Sequence, residues 1–344
     1  MAVLGAVNKV FGWGVLLGYF ACGAWLAGLG EGMQRRFLQV WFLAGWFGAL
    51  YGVARNLFWQ HGLLDDVLLG RAQGLYVNPN AFGIALAVLL VMQLPYYRAR
   101  RLFPAWLHAL GAAIAIAGVL YSGSRSAALG LIVAAPLLLW WRLPGLKACL
   151  QIALALALVI GIGNAGPKAL RSLADQSLLA GRQAVGDNAA QSQLPRIPSQ
   201  SLTMLRGGRV MDGGVTHRIL LTRRALAQWR EHPLLGTGLG VFYWHELQAA
   251  ESMPALIHTS ALWILTEMGL VGLFLFGGLI IAALLALWRA RRDYPERPLY
   301  TGVLLLVVVL LGVSLATEAL YQRYLWLFLG LALRQRKEGE KRNE

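Results

Sequence analysis

Cysteine is nearly absent from this chain of 344 residues, with only Cys22 and Cys149, both in or beside apolar runs. No disulfide framework follows from them, and no Cys/His spacing of a metal site is present. Charge is scarce as well: 14% of residues are charged against 58% hydrophobic. Acidic groups are the scarcest, 16 against 31 basic ones, for a net charge of +15. The first apolar segment shows no cleavable signal pattern, and the chain has no internal self-similarity of the kind that paired transporter halves show.

Long apolar runs are abundant, several reaching the roughly 20 residues that cross a hydrocarbon core. The chain therefore reads as an all-α polytopic membrane protein with about nine transmembrane helices. The runs are Phe11 to Gly30, Phe37 to Trp59, Asn80 to Tyr97, Phe103 to Tyr121, Ser126 to Trp141, Leu146 to Asn164, His258 to Trp288, Leu299 to Ala316 and Leu320 to Leu333. A weak polar break near Glu318 separates the last two. The 40 glycines suit close helix packing in lipid.

The positive charge does not point to nucleic acid, because its position between spans carries the information. Clusters at Arg35/Arg36, Arg98/Arg100/Arg101, Arg142/Lys147, Arg289/Arg291/Arg292/Arg297 and the tail from Arg334 occur at every second boundary. The positive-inside rule assigns these to the cytoplasm. The N-terminus and the stretches 60–79, 121–125, 166–257 and 317–321 then fall on the outer face. This divides the chain into N-terminal membrane helices (1–165), a periplasmic loop with short helices (166–257), and C-terminal helices with a basic cytoplasmic tail (258–344).

The first half of that loop, rich in Gln, Ser, Gly and Pro, reads as coil. The second half, from Thr216 as N-cap to Glu231 before Pro233, reads as a basic amphipathic helix. Such a helix either lies at lipid headgroups or turns an arginine inward to a phosphate, which Arg grips bidentately.

Single residues stand out against this frame. His258 opens an apolar helix at its water-facing mouth, where an imidazole moves protons near neutral pH. Arg125 lies in SGSRS between two spans; with Ser122, Ser124 and backbone amides it suits phosphate. Asn78 and Asn80 bracket Pro79 before a span, with Asn80 as the N-cap. The adjacent Asp65 and Asp66 lack a third ligand and read as solvated loop. Glu267 lies inside a span and needs a partner. Nine residues of helix, or 900°, would turn it away from His258, so its partner is expected to be an Arg or a helix N-terminus elsewhere. Arg55, Glu318 and Arg323 are the other charges at membrane depth, with Tyr321 and Tyr324 nearby.

Four segments in order, RAQGLYVNPNAFG (71–83), YSGSRSAALG (121–130), HRILLTRRALAQWREHPLLGTGLGVF (217–242) and IHTSALWILTEMGLVG (257–272), resemble the O-antigen ligase and O-antigen polymerase superfamily of bacterial inner-membrane glycan transferases. The resemblance implies a GT-C-type glycosyltransferase that needs neither metal nor cofactor. It implies an undecaprenyl pyrophosphate-linked glycan as donor and, for a ligase, a sugar hydroxyl of lipid A-core as acceptor. Polymerases and protein O-oligosaccharyltransferases share the donor. His258 is then the catalytic base. Arg125 and Arg218, with Arg71 as a third, hold the pyrophosphate, while Asn78, Asn80, Ser124, Tyr321 and Arg323 contribute weaker substrate contacts. Where the family often has Asn after its His, this chain has Thr259. Family members commonly carry further N-terminal spans, so the resemblance implies a chain that begins inside a longer design. A lipid-linked glycan transporter is the competing class.

Overall fold

The computed structural model describes residues 2–60, 70–76, 78–99, 102–162, 209–242, 257 and 259–343. Helices joined by turns and short irregular loops account for them, with no strand among the described residues. In chain order, α1 is Ala2–Ala27, α2 Glu31–Gln60, α3 Pro79–Ala99, α4 Ala105–Ser122 and α5 Arg125–Trp140. Leu146–Ile162 forms α6. Arg209–Glu231, Ser260–Asp293, Pro298–Ser314 and Arg323–Asn343 form α7 to α10.

Five of these helices, α1 to α4 and α8, are long and apolar enough to cross a membrane, and four shorter apolar helices accompany them. Large apolar side chains point outward, among them Phe47 at 67% exposure, Trp140 at 78% and Phe274 at 76%. Water penalises such a surface and lipid does not. The chain is an integral, polytopic helical membrane protein. Each expected apolar run coincides with a helix, but the ends move: α8 starts at Ser260, α9 stops at Ser314 and α10 starts at Arg323.

With no hydrophobic drive between helices in lipid, close backbone approach holds the bundle. A Cβ on Gly23 of α1 would lie 1.9 Å from the Leu327 carbonyl of α10, and one on Gly330 would lie 2.0 Å from that of Phe20. Gly12 packs on Tyr321, so α1 and α10 run parallel. The α5–α9 pair uses the same device, with Gly130 against Val309 and Gly312. Helix α3 is buried on nearly every side, and its Gln93 accepts a 2.9 Å bond from the Trp46 indole. That pairing satisfies two polar groups that lipid cannot.

The bundle has two chemically different ends. At one, Arg297 pairs with Glu31 at 3.2 Å, Arg98 donates to the Trp141 carbonyl, and the Arg291 guanidinium lies 3.8 Å over the Trp141 ring. The basic boundaries near residues 31–36, 98, 142 and 291–297 therefore share that end. Arg71, Arg125, Glu318 and the start of α8 lie at the other.

Candidate functional site

The α4–α5 turn is built by its small residues. Gly123 takes a left-handed φ of 58° to end α4, and Ser124 caps α5 by accepting from the Ala127 amide at 3.3 Å. The Ser122 hydroxyl donates to Val119 O at 2.7 Å and accepts from the Ser124 amide at 3.2 Å.

The loop before α3 is stitched to this turn. Arg71 donates from Nε to Ser122 O at 2.6 Å and from Nη2 to Asn80 Oδ1 at 2.8 Å. Beside it, the Ala72 amide donates to Tyr121 O at 3.0 Å. Asn78 rather than Asn80 caps α3: its Oδ1 accepts from the Asn80 amide at 2.8 Å. The ring of Pro79 occupies the first helical position, which puts the free amide at Asn80 and frees the Asn80 side chain for Arg71. Five expected site residues, Arg71, Asn78, Asn80, Ser124 and Arg125, thus form one constellation.

Its electrostatics are one-sided. Arg125, exposed at the first position of α5, lies close enough that its charge adds to burial in pushing the Arg71 guanidinium below its usual range. Among the described residues no carboxylate pairs with either arginine. Two guanidinium groups beside the Ser124-capped α5 N-terminus give this turn a positive charge of the kind that suits an anion.

The second constellation lies where α8 breaks. The expected continuous helix is interrupted at Gly269, whose φ of 67° and ψ of −164° only glycine adopts readily. Residues 233–238 fill the gap: the Thr237 and Gly238 amides donate to Thr266 O and Glu267 O at 2.9 and 3.0 Å. In return, the Leu270 and Val271 amides donate to Pro233 O and Leu234 O at 3.0 and 3.1 Å. A Cβ on Gly236 would strike the Glu267 carbonyl carbon at 2.4 Å, so neither glycine tolerates a side chain. The loop pairs the backbone groups that the break leaves open, which is the condition for a discontinuous helix at membrane depth.

Glu267, 2% exposed, sits in this break. The groups that favour its charge are the Gly240 amide, the Lys9 ammonium and the Trp263 indole, and no arginine is among them. Lys9 also pairs with Glu318 at 3.9 Å and lies 4.4 Å over the Trp263 ring. Burial lifts the Glu318 carboxyl above its ordinary range, with Lys9 acting against the shift. Thr259 is extended (φ −109°, ψ 129°) and α8 begins only at Ser260, so the nine residues before Glu267 are not continuous helix as expected. Lys9 was legible as a charge beside the first apolar run, but nothing in sequence placed α1 against α8.

Helix α7 starts at Arg209, ahead of the expected Thr216, and ends at Glu231 as Pro233 requires. It docks on the α8 cluster through Leu221 and Ala225, leaving Arg223 and Arg230 exposed. The start of α10 links the two constellations. Tyr321 packs on Trp13 and Trp263 at 5.7 and 5.6 Å, while Tyr324 shares a cavity with Tyr76. Arg323 is exposed between them. His258, Asp65 and Asp66 lie outside the described residues, and the Arg218 side chain lies outside the described part of α7.

Residues 110–277, from within α4 to the middle of α8, match a family model described as O-antigen ligase. Over that stretch the chain is similar to the O-antigen ligase family. The match covers the Ser122–Arg125 turn, α7, the glycine loop and the α8 break. No curated protein matches the chain.

Proposed function

We propose that this O-antigen ligase-like chain transfers a glycan from undecaprenyl pyrophosphate to a sugar hydroxyl of lipid A-core, at the periplasmic face of the bacterial inner membrane. The observation that carries the reading is Arg125 at the α5 N-terminus, inside the matched residues 110–277, with Arg71 of the preceding loop bonded to the same turn and no carboxylate paired with either among the described residues. In this reading the nine apolar helices span the membrane as a GT-C-type bundle. Residues 166–257 are its periplasmic loop, and the basic end faces the cytoplasm.

The acceptor hydroxyl attacks the anomeric carbon as its proton passes to His258. The bond from that carbon to the pyrophosphate oxygen breaks, and the lipid pyrophosphate leaves with the electron pair. Arg125, Arg218 and Arg71 offset the charge that develops on it, so the step needs no metal or cofactor. Arg125 is the exposed member of the set; Arg71 is committed to Ser122 and Asn80 and acts as the clamp that fixes the turn. Asn80 and Ser124 contribute through that clamp and cap, while Tyr321 and Arg323 line the side toward α8.

The test supplies purified protein with a lipid pyrophosphate glycan in EDTA and offers lipid A-core, a second donor molecule and a peptide in turn. Transfer to lipid A-core is the expected result. Transfer only to a second donor or only to the peptide makes the chain a polymerase or a protein O-oligosaccharyltransferase. Passage of the donor across a vesicle membrane without transfer makes it a transporter.

A further inference from the structure

The basic end of the bundle does not treat its arginines alike. Arg297 is neutralised, with Glu31 at 3.2 Å and Glu296 at 3.9 Å. Arg98 and Arg291 are not: among the described residues no carboxylate pairs with either, and the two lie close enough for their charges to act on each other. Like charges at such range drift apart unless something holds them. Trp141 holds both. The Arg98 guanidinium donates to its carbonyl, and the Arg291 guanidinium stacks 3.8 Å over its ring. Trp288, one turn before Arg291, packs on Trp141 with ring centroids 5.9 Å apart. The Nε of Arg291 is buried here without a hydrogen-bond partner. A charged donor left in that state is costly, and the missing group is an acceptor that carries negative charge.

The surroundings say what that anion is attached to. Trp140, beside Trp141 in the chain, is 78% exposed, and Leu146 at the start of α6 is 79% exposed. Exposed tryptophan belongs at headgroup level and exposed leucine among acyl chains. Arg142 and Lys147, exposed on the same connection, add positive charge.

We infer that Arg98, Arg291 and Trp141 seat the phosphodiester of an anionic phospholipid, held jointly by the ends of α3, α5 and α8, at the opposite end of the bundle from Arg71 and Arg125. The recognition is guanidinium to phosphoryl oxygen. Inorganic phosphate offers the same oxygens but no chains for Trp140 and Leu146 to meet. A zwitterionic phospholipid offers both, yet its ammonium brings further positive charge to a place that is already positive.

Native mass spectrometry of the full chain in detergent separates these ligands, titrated in turn with phosphatidylglycerol, with phosphatidylethanolamine of the same acyl chains, and with inorganic phosphate. Phosphatidylglycerol is expected to bind about tenfold or more tighter than the other two. The double variant Arg98→Gln/Arg291→Gln should lose that preference, whereas Arg36→Gln, at an exposed arginine of the same end, should keep it within about twofold. Equal affinity for the two lipids, equal loss in Arg36→Gln, or phosphate binding as tight as phosphatidylglycerol overturns the inference.

A second arm uses the unaltered chain, so a folding defect in the double variant does not weaken the test. In nanodiscs, phosphatidylglycerol with a diazirine on the first carbons of one acyl chain is expected to label 138–150 and 284–292. Unlabelled phosphatidylglycerol should compete that label away, and phosphatidylethanolamine should not. Label of equal strength at 33–40, or label that neither lipid reduces, overturns the inference.

Discussion

Arg71 and Arg125 share a motif neighbourhood but not a job. Arg71 spends its donors on Ser122 O and Asn80 Oδ1, so Arg71→Ala leaves a turn carbonyl and a side-chain amide unpaired. A loss of about 2 kcal/mol in detergent-monitored unfolding is expected from charged hydrogen bonds of this kind. Arg125 is exposed on α5, and Arg125→Ala should leave unfolding unchanged while weakening donor binding about tenfold or more. Equal stability loss in both variants would mean that Arg125 is also structural. The sequence showed that an arginine between capping serines suits an anion. It did not show that the clamp comes from the previous loop, because Arg71 and Ser122 are 51 residues apart. Asn80 was misread as the cap for a related reason: Pro79 shifts the cap to Asn78, a one-residue effect that the motif alone leaves ambiguous.

At the scale of elements, the break in α8 is the least legible feature and the most consequential. Its hydropathy is continuous across Gly269, and a glycine in an apolar run usually signals close packing. Only the loop 233–238, docked by four backbone hydrogen bonds, explains why two glycine motifs 33 residues apart belong together. Gly269→Ala forces an unfavourable φ and brings a methyl to 2.2 Å from Leu234 O. It is expected to lower unfolding stability by about 3 kcal/mol. An unchanged midpoint would contradict the stitched break. Helix positions, by contrast, were readable, because apolar length is the property a bilayer imposes. The start of α7 was not, since the residues from Arg209 to Thr216 carry no apolar stripe that marks a helix.

For the whole molecule, the alternation of basic boundaries agrees with the segregation of contacts to two ends, from Arg297–Glu31 at one to Arg71–Ser122 at the other. The account predicts which end faces out. In a chain with Cys22 and Cys149 replaced, Leu75→Cys should react with a membrane-impermeant thiol reagent applied to spheroplasts, and Arg36→Cys should react only after lysis. The reverse pattern would invert the topology and put the arginine pocket on the wrong side. The most direct test of the central claim is transfer by the purified His258→Ala variant in EDTA, with donor binding measured on the same sample. The account predicts a fall in rate of roughly 10² to 10⁴ with donor affinity retained, because a base acts on the proton and not on the pyrophosphate. Full transfer by that variant would contradict it.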